Sequence, residues 1–93
     1  MLILVTSVEQ ITKLSEARIL VFLEQADPRF RYAKFLSVKL NIEYGYCIQR
    51  LGDMKIKAWI TPFKREQKVF YAITNLAPLK QAKELIAKND SIL

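Results

Sequence analysis

Apolar residues recur along this chain at spacings that mark out its elements. Cys47, Leu51 and Met54 stand at i, i+4 and i+7, one face of an α-helix over residues 44–57. Before them Ala33, Leu36 and Leu40 fall at i, i+3 and i+7 and predict a helix over residues 32–40, with Phe35 beside the stripe and Lys34 and Lys39 pointing away. Between the two, Leu40 and Ile42 flank a polar Asn41, a residue type that tolerates the left-handed conformation of a tight turn. Two helices joined so closely make a helix-turn-helix. The second buries only every third or fourth residue, which leaves Tyr44, Gly45, Tyr46, Gln49, Arg50 and Asp53 on its outer face.

The same reading extends both ways. Ala17, Leu20, Val21 and Leu23 form a broad apolar band with Arg18 and Glu24 outside it, predicting a first helix over residues 15–26 that opens at Ser15. Ile19 and Phe22 fall off that band, as in helices that are fully buried or that also serve a dimer seam. Asp27-Pro28 ends the helix. Downstream, Trp59-Ile60 and residues 69–73 read as two strands around a polar, basic tip at 61–68. Thr74 or Asn75 can cap a last helix over residues 76–88, where Pro78 is tolerated in the first turn. Leu79, Ala82, Leu85 and Ile86 share one side of it, with Lys80, Lys83 and Glu84 on the other. At the other end, residues 1–5 read as a short strand or arm, and residues 7–10 have capping-box spacing.

Composition narrows the chemistry. The chain has 93 residues, 52% hydrophobic and 26% charged, which fits one globular domain over residues 1–93. It has no histidine, one cysteine and two glycines. Those counts remove the commonest general base, a thiolate metal cluster and a phosphate-cradling glycine loop, and they argue against an enzyme and against a cofactor. No apolar run is long enough to span a membrane, and residues 1–5 are too short for a secretory signal, so a cytoplasmic protein is expected. The net charge is +6, and it is segregated. Residues 29–68 hold ten cations against three anions, a local +7, while the rest holds five against six. Charge gathered on the helix-turn-helix and the strand region after it points to a polyanion, although a basic surface also serves solubility.

The order helix, helix, helix, strand, basic tip, strand, helix is that of a winged helix-turn-helix, an α+β and mostly α fold. The resemblance reaches residues. Leu14-Ser15-Glu16-Ala17-Arg18-Ile19-Leu20 looks like the opening helix of MarR-like and PadR-like regulators. Leu40-Asn41-Ile42-Glu43 occupies the family's L-G-I-S turn, with Asn41 in place of glycine. Residues 51–60 resemble its L-x-x-L-x-x-x-G-L-I, with Met54 for leucine, Ala58 for glycine and Trp59 for leucine. Residues 70–74 resemble the Y-x-L-T that closes the wing, and Gly45 stands where PadR-like proteins carry the glycine of G-T-L-Y. The match covers residues 14–88. A winged helix with a C-terminal helix is also similar to small archaeal DNA-binding proteins, including some that load onto plasmid DNA for partition.

The resemblance implies a homodimer on double-stranded DNA, serving transcriptional regulation or plasmid partition and associated with the nucleoid or a plasmid. The third helix would enter the major groove, with Tyr44, Gly45, Tyr46, Gln49 and Arg50 as its contact residues. Lys64, Arg65 and Lys68 would set the wing on the flanking backbone. Arg29, Arg31 and Lys34, at the start of the second helix, would meet phosphates. Glu43 reads as the cap of the third helix rather than a base reader. Terminal elements build the dimer in such families, which assigns Leu79, Ala82, Leu85 and Ile86, with the N-terminal arm, to the seam. The plainer alternatives are a solvated helix face, an ordinary charged hairpin, and a stripe that folds back on the first helix within one subunit. A different class of function is a winged helix used as a protein-interaction module in a transcription or replication complex.

Overall fold

The computed structural model describes residues 13–92. The expected arm and helical turn within residues 1–12 lie outside that range. Four helices and one antiparallel hairpin follow in the order α1 (Leu14–Gln25), a 3-10 turn (Pro28–Phe30), α2 (Ala33–Leu40), α3 (Tyr44–Ile56), β1 (Ile60–Arg65), β2 (Lys68–Ile73) and α4 (Leu76–Ile92). This is a winged helix-turn-helix, mostly helical, as the sequence pattern predicts.

The core is built where the apolar spacings converge. Ala17, Ile19, Leu20 and Leu23 of α1, Leu36 of α2, and Cys47, Leu51 and Met54 of α3 are all buried, and Trp59 and Ile60 close the base of the hairpin. Ile19, outside the main band by spacing, is fully buried because α1 is covered on several sides, by α4 as well as by α2 and α3. Helix α1 begins at Leu14, one residue early, and no side chain caps it. The Ser15 hydroxyl lies instead 3.3 Å from the Tyr46 phenol.

Two Schellman motifs shape the helix-turn-helix and its exit into the hairpin. At the end of α2, Ile42 N–H donates to the Ser37 carbonyl at 2.9 Å and Asn41 N–H to that of Val38 at 3.3 Å, with Asn41 at φ 56°. At the end of α3, Trp59 N–H donates to the Met54 carbonyl at 3.0 Å and Ala58 N–H to that of Lys55 at 2.9 Å. Ala58 therefore holds a left-handed φ of 61°, the position at which glycine is preferred. Buried Met54 and Trp59 supply the apolar contact that accompanies the motif.

The hairpin differs from the open tip expected at 61–68. Ladder pairing runs from Ile60↔Ile73 to Arg65↔Lys68, so strand continues almost to the end and only Glu66 and Gln67 turn the chain. Both have positive φ, 51° and 67°, as a two-residue type I′ turn demands. Pro62 masks this strand in a reading by propensity. It is accommodated because β1 is an edge strand, whereas the other edge of the sheet, β2, is bridged by Tyr32 through Phe70.

Helix α4 folds onto α1. Leu79 and Ala82 are inside the subunit, and Leu85 and Ile86 pack half-buried against the same core. The Lys83 ammonium meets Glu24 of α1 at 3.1 Å. The stripe assigned to a dimer seam is thus used, at Leu79 and Ala82, within one protomer, because α1 presents an apolar face that α4 must cover. Asn75 accepts the Ala77 N–H at 3.0 Å at the head of α4, and Pro78 sits buried in its first turn.

Candidate nucleic-acid interface

Helix α3 owes its start to Glu43. The carboxylate accepts the N–H groups of Gly45 at 3.0 Å and Tyr46 at 2.8 Å, which holds its pKa below the usual glutamate range. With Cys47, Leu51 and Met54 turned inward, the outer stripe of α3 is Gly45, Ile48, Gln49, Gly52 and Ile56. Ile56 is 82% exposed. Both glycines of the chain therefore lie on one outer stripe, with Gln49 between them. A methyl group added at Gly52 would meet nothing within 4 Å, so no contact inside the described protein calls for a glycine there.

The two exposed tyrosines diverge. Tyr44 leans toward the hairpin, with the Lys34 ammonium 5.7 Å from its ring centre. Tyr46 leans the other way, onto α1, with its hydroxyl near Ser15 and the Arg50 guanidinium 5.3 Å from its ring centre.

Arg50 departs from the expected exposed contact residue. It is only 6% exposed, and its Nη1 donates to the Glu16 carboxylate at 3.0 Å, while Nη2 pairs with Asp53. Lys57 reaches the other Glu16 oxygen at 3.7 Å. Position 50 lies three residues after Cys47, on the flank of the buried stripe, so the side chain is carried inward to a carboxylate that α1 presents. Asp53 is drawn to the same cluster and faces solvent only in part.

Between α3 and the hairpin lies an open cleft of about 510 Å³, whose walls include Tyr32, Lys34, Tyr44, Ile48, Lys68 and Tyr71. Lys34, from α2, and Lys68, from β2, are on its walls, and Lys68 stands 4.3 Å from the Tyr32 ring centre. Burial, Cys47 and Tyr44 push the Tyr71 phenol above its ordinary pKa, so it stays neutral and can donate. Tyr32, Ile48 and Tyr71 were not among the sequence-derived contacts. The i, i+4 spacing of Tyr44 and Ile48 is the signal that pairs those two, whereas Tyr71 arrives only through strand register.

The three cations grouped at the start of α2 separate in space. Lys34 lines the cleft. Arg31 is half-buried and structural: its Nε donates to the Ala26 carbonyl at 3.0 Å and its own carbonyl accepts the Tyr71 N–H at 2.9 Å. Arg29 is exposed and is gripped by Asp27 at 3.1 Å. Lys64, Arg65 and Lys68 are all exposed on the hairpin. Among the described residues, no cluster of three metal-ligating side chains occurs, and no helix is long and apolar enough to cross a membrane.

No protein-family model and no curated protein matches the chain. Solved structures do. A single-site mutant of ZitR from Lactococcus lactis superposes with a TM-score of 0.68 at 23% identity, over 97% of this chain and 62% of that one. The zinc-dependent MarR family transcriptional regulator AdcR, in its Zn(II)-bound state, gives 0.64 at 16% identity, over 96% and 67%. Reduced HlyU from Vibrio cholerae gives 0.50 at 17% identity, over 76% and 85%. The chain spans about three-fifths of the length of ZitR. At these identities the likeness is one of backbone architecture, and the architecture is the winged helix found in a MarR family regulator.

Proposed function

We propose that this protein binds double-stranded DNA as a homodimer and serves transcriptional regulation. The observation that carries the reading is the cleft: Lys34 and Lys68 on its walls, α3 forming one side and the basic hairpin the other. A duplex laid there would place the outer stripe of α3, with Gln49 at its centre, in the major groove, and its backbone between the two lysines. Tyr44 and Gly45 share that groove, while Tyr46 touches it from the α1 side. Arg50 acts from behind, by holding α3. Lys64, Arg65 and Lys68 set the wing on the flanking backbone. The fold shared with AdcR supports regulation by analogy alone.

Dimerisation follows from the size of the reading head, since one α3 reads too few base pairs for genomic selectivity. A two-fold pair would present two α3 helices about 34 Å apart to a palindromic site. With Leu79 and Ala82 inside the subunit, the seam falls to the remaining surface of α4, including Leu85 and Ile86; the N-terminal arm expected there lies outside the described residues. The reading involves no enzyme chemistry and no cofactor, and it places the protein in the cytoplasm on DNA. Plasmid partition and an archaeal source have no structural observation in their favour.

Fluorescence anisotropy on a labelled duplex across a salt series tests the reading. If each protomer neutralises about four to five phosphates, the dimer's log–log slope is roughly −7 to −9. A slope near zero sinks it and favours the protein-interaction module.

A further inference from the structure

The two faces of the hairpin do different things. Side chains alternate across a strand, and the register pairs Phe63 with Phe70 and Arg65 with Lys68, so these four share one face while Val69 and Tyr71 share the other. Val69 and Tyr71 line the cleft beside α3. The opposite face has a cavity of its own, about 330 Å³, lined by Arg29, Arg65, Glu66, Lys68 and Phe70.

We infer that this outer face of the wing seats one phosphate group of duplex DNA, held by Arg29, Arg65 and Lys68 over Phe70. The inference rests on the DNA reading above and extends the bound surface past the wing. Arg29, expected among the phosphate contacts at the start of α2, shares the cavity with the wing residues although it comes from the turn before that helix. Pairing of Tyr32 with Phe70, and the Tyr71 N–H bond to the Arg31 carbonyl, lace that segment to the free edge of β2 and bring Arg29 beside the wing. Asp27 then fixes its guanidinium, accepting from Nε at 3.1 Å and Nη2 at 3.3 Å, and leaves Nη1 for a ligand. The Phe30 ring lies under the same group at 5.4 Å.

Arg65 and Lys68 have no carboxylate partner among the described residues. Three cations here face two carboxylates, Glu66 and Asp27, so the seat keeps a positive excess. Guanidinium forks and a lysine point charge suit the three-sided display of oxygens on a phosphate. Lys68 lines both cavities, so the outer seat and the cleft share a wall. A strand leaving the cleft across the wing tip arrives at Arg29.

The test uses the full chain, a random-sequence duplex long enough to overhang the wing, and inorganic phosphate as a separate probe. Arg29→Ala should weaken duplex binding about three- to tenfold near 0.1 M salt and flatten the log–log slope by about 0.9 per protomer. Lys39→Ala, the same loss of charge on the exposed side of α2 away from both cavities, should leave both near wild type and shows that net charge alone is not responsible. Wild-type binding that Arg29→Ala leaves unchanged in both affinity and slope overturns the seat while the DNA reading stands. If the wild type binds no duplex but millimolar phosphate shifts the side-chain resonances of Arg29 and Arg65 together, the anion seat stands for a free phosphate and the DNA reading falls. No duplex binding and no shift overturns both.

Discussion

Arg50 of α3 meets Glu16 of α1 at 3.0 Å in the protein interior, joining two helices through residues 34 positions apart in sequence. Glu16 is 1% exposed, so neither charge has water as a substitute partner. The pair therefore fixes the rotation of α3 about its own axis, which decides which residues point outward.

Removing one partner should cost more than removing both. Glu16→Ala strands a buried guanidinium and is expected to lower stability by about 3–5 kcal/mol, softened by the remaining Asp53 contact. Glu16→Leu combined with Arg50→Met should cost clearly less. Urea unfolding of Glu16→Leu, Arg50→Met and their combination measures the coupling, and additive costs would show that the pair does not act as a unit.

Ala58→Gly should stabilise the protein by about 1 kcal/mol, because the residue already holds the left-handed φ that a Cβ disfavours. Thermal unfolding checks it. A loss of stability would mean the alanine methyl makes packing contacts that outweigh the strain.

The wing tip offers the same test twice. Glu66→Asn with Gln67→Gly supplies the residues a type I′ turn prefers and should raise the melting temperature. Slower amide exchange along β1 and β2 would accompany it. An unchanged hairpin would say that the Tyr32 bridge, not the turn, sets its stability.

Substitutions on α3 should separate reading from gripping. Gln49→Ala is expected to relax preference at one or two base pairs per half-site, at a cost of about 1–3 kcal/mol on the specific site only. Gly52→Ala should stabilise the free protein by up to about 1 kcal/mol, since its new methyl meets nothing, yet weaken DNA binding if the backbone approaches the bases there. Binding to specific and random duplexes decides both. A Gln49→Ala protein with unaltered site preference removes that residue as a base reader.

Acid should release the α3 cap. Bonds from Gly45 and Tyr46 lower the folded pKa of Glu43, so its stabilisation is fully present at neutral pH and disappears as pH falls through the folded value, below the ordinary glutamate range. Melting temperatures of wild type and Glu43→Gln should converge as pH falls into that range. Curves that stay parallel throughout would remove the carboxylate's charge as the cause.

The sequence made the helices readable because each buried stripe is local: Cys47, Leu51 and Met54 need no knowledge of the rest of the chain. Asn41 and Glu43 were legible for the same reason, as turn and cap chemistry acts over three or four residues. Arg50 was not. Its spacing suits the flank of a helix, and its inward course depends on a carboxylate far away in sequence. The hairpin was half-legible, since Pro62 and the cations at 64 and 65 mask a strand whose register only the partner strand supplies. The division of Arg29, Arg31 and Lys34 among three environments likewise depends on the Tyr32 bridge, a long-range pairing.

Among the described residues, the four non-glycine ones with positive φ, Asn41, Ala58, Glu66 and Gln67, occupy the joints around α3, whereas the two glycines lie inside α3 in helical conformation. Suppleness is thereby placed opposite to the usual pattern. Side chains at the joints restrict backbone freedom, so the angle between α2, α3 and the wing is stiff. Each helical glycine weakens its own turn by roughly 0.5–1 kcal/mol relative to alanine. Conformational freedom in this part of the molecule is therefore concentrated within α3, in its first turn and at Gly52, rather than at the joints around it.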